Sequence, residues 1–285
     1  MTTNKIVFEL DQTSRLALED RAARMISIGP PLELSPVTQS VQFLRGVGSR
    51  ASLCIPAFHF FLGSLFAQED ERIKRDHSLA VAASYIEFSS LNTLTLSCRK
   101  VFDHAASGLT GARFSKISDE VLIEHAEYWA KTSKQPVENA LCALKTLRVF
   151  FRICSQPSNR LLQASTTSLP KRIGLLKQHA DRAAAHLSLE SYEIHLHDLA
   201  HFTASLSLIG EIIRSFDVQH MDSSYFNQIE LGAHKAAKQQ FPMLSTPRLF
   251  ENVDIVQQAK ACWQFGEQEG LHMLLEEIPY AISWF

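Results

Sequence analysis

An all-α fold, an up-and-down helical bundle with extra N- and C-terminal helices, is what this sequence predicts, on three observations. Only 11 of the 285 residues are glycine, against roughly 7% in an average protein, which disfavours turn-dense β architectures and glycine-rich phosphate loops. Apolar residues recur at spacings of three and four in one segment after another, and only Lys5 to Leu10 alternates in the manner of a strand. Hydrophobic residues make up 46% and charged residues 20% of the chain, enough apolar material for a core and too little charge for a disordered polymer.

The elements follow in order. Asp11 to Ile28 reads as an amphipathic helix with Thr13 or Ser14 as caps, stopped by GPPLELSP at Gly29 to Pro36. Ala51 to Phe66 is the most apolar stretch, interrupted by Pro56 and His59. It falls short of the roughly 20 residues that cross a bilayer and is expected to be buried core. Glu69 to Ala106 contains neither proline nor glycine, so one long helix is expected there, with Phe88, Leu91, Thr95, Cys98 and Phe102 on one face. The next helix is expected to start after Ser118, where Asp119 and Glu120 meet the positive end of its dipole, and to run to about Thr132. Pro136 opens another, which carries Leu141, Leu144, Leu147 and Phe151. A loop with one short helix spans Ser155 to Ser168, and a helix from Pro170 to His186 follows. Leu199, Phe202, Leu206, Ile209, Ile213 and Phe216 trace the clearest amphipathic face, with Asp198, Ser205 and Glu211 off it. Helices about Ser224 to Gln240 and Val253 to Glu277 complete the chain. The organisation expected is an N-terminal arm and linker over 1–45, a bundle over 46–217 and an acidic helical region over 218–285.

The five cysteines lie without CxxC spacing, which suits reduced thiols better than a disulfide frame or zinc knuckle. The N-terminal MTTNKIVFELDQTSR lacks the apolar run of a signal peptide, so a cytoplasmic location with no membrane partner is expected. The formal charge is -2, and any attraction for nucleic acid must therefore be local. One such locality exists. No acid occurs from Asn139 to Ala180, where Lys145, Arg148, Arg152, Lys171 and Lys177 are candidate contacts for RNA phosphates. The bland alternative is a solvated face that pairs with the acidic tail at Glu251 to Glu277.

Histidine is the second feature, with His179, His186, His195, His197 and His201 close together in sequence. His197 and His201 have the i, i+4 spacing of helical metal pairs, but no recognised pattern supplies a third ligand, so neither a metal nor another cofactor is expected. No GxSxG nucleophile elbow occurs.

Three segments, LNTLTLSCRKVFDH from Leu91 to His104, LLKQHADRAAAHLSL from Leu175 to Leu189, and HDLAHFTASLSLIGEIIRSF from His197 to Phe216, together resemble the HEPN superfamily, and more narrowly its abortive-infection-type branch. The resemblance implies a helical bundle, a homodimer and, in active members, a metal-independent ribonuclease of toxin or phage-defence systems, with RNA and an antitoxin or other protein as partners. In such members an arginine and a histidine separated by four to six residues meet their counterparts across the dimer interface. His186 matches the histidine, but Ala180 stands where the arginine is expected, and Arg182 lies closer. Arg172 and His179 form a fallback pair, seven residues apart on one helical face. The chemistry needs no metal: the 2'-hydroxyl of RNA is the nucleophile, histidine moves the proton and arginine stabilises phosphate charge. The expected activity is therefore cleavage by His186 with Arg182, or by His179 with Arg172. The alternative is an inactive interaction module that dimerises through the Leu199 to Phe216 face and holds a protein or RNA partner.

Overall fold

A computed structural model describes residues 11–26, 34–105, 108–163, 169–181, 194–217, 225–244 and 248–277. Every regular element among them is helical. By contacts the chain divides into a short unit, residues 1–35, and a compact unit, residues 36–285. The strand-like Lys5 to Leu10 lies outside the described residues.

The short unit holds α1 (Gln12–Ile26). Its cap is Asp11, two residues before Thr13 and three before Ser14, the caps expected: the Ser14 amide donates to Asp11 Oδ1 at 3.0 Å.

In the second unit α2 (Pro36–Gln68) runs unbroken through Pro56. An interior proline costs about 3 kcal/mol, and burial outweighs that here, because α2 packs against α4, α10 and α11 along its length. The helix is long and apolar enough to cross a membrane, yet 56% of its most apolar window is buried among the other helices. The core role expected of Ala51 to Phe66 is what that burial describes.

The single helix expected from Glu69 to Ala106 is two, α3 (Glu71–Arg75) and α4 (His77–Val101). Two aspartates make the break without proline or glycine. Asp70 accepts from the Arg72 amide, and Asp76 accepts from the amides of Ser78 and Leu79 at 3.0 and 3.2 Å, so each starts a helix of its own. A short α5 (Gly111–Phe114) follows. Then come α6 (Asp119–Ser133), capped by Ser118, and α7 (Val137–Cys154), opened after Pro136, both where the sequence places them. Next are α8 (Ser158–Gln163) and α9 (Leu169–His179).

The central helix is α10 (Leu196–Asp217). Every residue from Asp198 to Ile213 is buried, including Asp198, Ser205 and Glu211, which the periodicity set off the apolar face. The face considered for dimerisation is thus covered within the chain by α2, α6, α9 and α12. Trp129 of α6 stacks on Phe216 at 5.0 Å, and Phe216 meets Trp263 edge-on at 4.9 Å.

The C-terminal helices α11 (Tyr225–Gln240), α12 (Ile255–Gln264) and α13 (Glu267–His272) share this core. Phe226, Phe241, Phe250, Ile255 and Trp263 belong to the same buried cluster as α2 and α10, so the region after residue 217 is not set apart. The helix expected over Val253 to Glu277 is split at Gly266, whose φ of 99° only glycine adopts without strain. All five cysteines are free thiols.

Candidate functional site

The seam between α9 and α10 holds the residues the sequence nominated. Pro170 fits the first turn of α9, where its missing N–H leaves no bond unmade. Two residues on, the Arg172 guanidinium crosses to the first turn of α10 and pairs with Asp198, Nε to Oδ1 at 3.2 Å, with the two side chains only 12% and 10% exposed. Asp198 Oδ2 also accepts the His195 amide at 3.3 Å. Beside this pair, the rings of His197 and His201 lie against each other with centroids 3.9 Å apart and planes tilted by 51°, neighbours as their i, i+4 spacing requires. Burial holds the His197 pKa below the usual imidazole value, with the Arg172 charge adding to the effect and Asp198 opposing it. Among the described residues no group of three potential ligands is placed to hold a metal.

His179 ends α9, half-buried, and its Nδ1 is buried with no hydrogen-bond partner among the described residues. Burial depresses its pKa as well. It stands two turns from Arg172, about 10 Å of helical rise, and the arginine is turned to Asp198, so the fallback pair is not joined into one acid–base unit. Arg182 and His186 lie outside the described residues.

The cations expected to form an RNA-binding patch scatter. Lys177 is the clearest departure. Its side chain is turned inward, 2% exposed, and Nζ donates to the carbonyls of Phe102 and Gln156, each at 2.7 Å. Burial pushes its pKa down, against the opposing pull of Cys98 and Asp103. An ammonium so enclosed does not reach a surface phosphate. Arg148 is 17% exposed and pairs with Asp119 at 2.7 Å, while donating to the Ile117 carbonyl at 3.2 Å. Arg152 and Lys171 are exposed and Lys145 is half-buried. A run of cations adjacent in sequence is thus divided among core, ion pair and solvent.

Three features escaped the sequence reading. The first is a buried ionic knot. Glu230 of α11 and His59 of α2 are both fully enclosed, with His59 Nε2 3.4 Å from Glu230 Oε1. Glu230 also accepts from the amides of Leu249 and Phe250 and pairs with Arg248. With two amides and a guanidinium on one carboxylate, the knot ties the 248–250 turn to α11. Nothing local marks His59 in its apolar run, and its partner is 171 residues away.

The second is the outer face of α4. Val81, Tyr85, Phe88 and Leu96 are 54%, 71%, 62% and 38% exposed. The opposite face, with Ala83, Ser90, Leu94 and Cys98, is buried. The 3–4 spacing of Phe88, Leu91, Thr95, Cys98 and Phe102 is legible in the sequence, but it does not say which of them the core takes: Cys98 and Phe102 are buried while Phe88 is exposed. A helix with two apolar faces gives no local signal of which one the chain itself covers.

The third is a pair of clefts, of about 240 and 360 Å³, that meet at Phe43, Leu109 and Thr110 beside α2. No family of known proteins, no curated protein and no solved structure matches this chain.

Proposed function

We propose that this chain is a non-catalytic, HEPN-like interaction module that pairs with a second copy of itself through the outer face of α4. The observation that carries the reading is the exposure of Tyr85 and Phe88, at 71% and 62%, one turn apart on a face left open among the described residues. Large aromatics left in water are unfavourable, and they are the side chains that dominate protein interfaces. Val81, Tyr85, Phe88 and Asn92 follow 4–3–4 spacing, the pattern of helices that pack side by side, with a polar residue at one seam position. Their neighbours Ala82, Ser84 and Ser89 are small and uncharged. A like copy is therefore not repelled, and the backbones can approach closely. A two-fold axis through this stripe sets each patch against itself. The five free thiols fit a reducing cytoplasm.

Sedimentation of the purified chain tests the reading. The expected result is a dimer at about 50 µM that becomes a monomer with unchanged far-UV dichroism in Tyr85→Glu/Phe88→Glu, because two buried carboxylates are costly at an interface. A wild type that stays monomeric at that concentration, or a double variant that still dimerises, defeats it.

One observation favours a second reading, metal-independent cleavage of RNA in a toxin or phage-defence setting. The His179 imidazole is half-buried and its pKa is lowered by burial, so it is neutral at pH 7 and able to take a proton. Labelled RNA incubated in EDTA with wild type, His179→Ala and His186→Ala decides this reading. Cleavage abolished by either substitution supports it; no cleavage by wild type removes it.

A further inference from the structure

We infer that the joined clefts beside α2 are a binding site for a small amphiphilic anion, one acidic head on an apolar body. The first cleft, of about 240 Å³, is floored by Pro36, Phe43, Phe114 and Ile117, with Arg113 and Lys116 also on its wall. The second, of about 360 Å³, is lined by Val47 and Val101, with Arg50 and Lys100 against the single carboxylate of Asp103. Leu109, shared by both, is 41% exposed, an apolar side chain held at the place where they join.

The floor is rigid. Phe43 stacks on Phe114 at 5.3 Å and meets Phe151 edge-on at 5.1 Å, so the apolar surface is part of the core packing. The Thr110 hydroxyl, donating to the Ala105 carbonyl at 2.7 Å and accepting from the Arg113 amide at 3.3 Å, fixes the turn that carries Leu109 and Arg113. The cations are held differently from others in this protein. Arg45, Arg99, Arg148, Arg172 and Arg248 each face a carboxylate within 4 Å. Arg50, Lys100, Arg113 and Lys116 have no ion pair among the described residues, and Arg113, Lys116 and Lys100 are exposed.

Four cations against one acid favour a negative ligand, and an aromatic floor favours hydrocarbon. The two together select a molecule that has both parts. The volumes lie near the lower end of the range for small-ligand pockets. A third cleft, of about 420 Å³, is the contrast: its Arg45 is paired with Asp217 and its Arg214 lies 4.0 Å over the Tyr225 ring, so its charges are already answered.

Titration calorimetry of the full chain with decyl phosphate, inorganic phosphate and decanol, each below any micelle concentration, tests the inference. The expected result is one decyl phosphate per chain, bound at least about tenfold more tightly than either fragment. Arg113→Gln/Lys116→Gln is expected to weaken it about tenfold with no change in melting, and Leu109→Asn to weaken it through the apolar part. Equal affinity in the wild type and the Arg113→Gln/Lys116→Gln variant overturns the inference, as does inorganic phosphate binding as tightly as decyl phosphate. An RNA oligomer that binds where decyl phosphate does not would assign these cations to a polyanion and overturn it too.

Discussion

His125 of α6 is fully enclosed, its Nδ1 2.8 Å from the Ser40 hydroxyl and its ring 4.7 Å from Trp129. Burial, with the Arg45 charge adding, lowers its pKa to about 3. In the unfolded chain the same imidazole titrates near 6.5, so below that pH the unfolded state binds a proton that the folded state refuses. Stability then falls with acidification, by about 1.4 kcal/mol per pH unit from this residue, between roughly pH 6 and pH 3. His179, His197 and His234 are shifted in the same direction by burial. Urea unfolding of wild type and His125→Asn at pH 7 and pH 5 isolates the one contribution: the variant is expected to lose less stability on acidification. Lys177 behaves as a structural cation. Lys177→Ala is expected to cost about 2–4 kcal/mol, from a cavity and two carbonyls left without a donor, read as a lowered urea midpoint. A change of under 0.5 kcal/mol, the level of ordinary surface substitutions, contradicts the inward placement.

At the scale of elements, helix starts were the most legible features. Ser118 caps α6 by accepting from the Val121 amide three residues on, and Pro136 precedes α7 without a side-chain cap because its ring fixes φ and its missing N–H is not needed there. The Asp70 and Asp76 caps separate α3 from α4 by the same physics, in a stretch that holds neither proline nor glycine. Asp76→Ala is expected to destabilise the protein by about 1 kcal/mol, through loss of the bonds to the Ser78 and Leu79 amides. A chemical-denaturation midpoint unaltered by the substitution would show that the cap is idle. Less legible was which face of a helix meets the core. Both α4 and α10 have strong 3–4 periodicity, yet α10 is covered on all sides and α4 leaves Tyr85 and Phe88 in solvent.

At the scale of the molecule, the chain after residue 217 belongs to the same core as the helices before it. Trp263 lies against Phe216, α11 packs on α2, and Glu230 holds the 248–250 turn while facing His59. A chain truncated after Asp217 exposes the apolar sides of α2 and α10, and is expected to lose cooperative unfolding and to bind a hydrophobic dye. A sharp two-state transition in that truncated chain would restore the three-part division read from the sequence. Composition pointed to a boundary there because acids cluster in the tail, but charge is a property of the solvent side of each helix and says little about its buried side.

What the sequence by itself determined is local: an all-helical chain, the places where helices begin, and the pairing of His197 with His201 on one face. These follow from contacts among residues three or four apart, which any helix of this sequence makes. Tertiary structure decided the rest. It sent Lys177 inward, gave Arg172 to Asp198 and Arg148 to Asp119, and left Arg113 and Lys116 beside an apolar floor. The cost of burying a charge is settled by partners distant in the chain, and their position is fixed only when the helices pack.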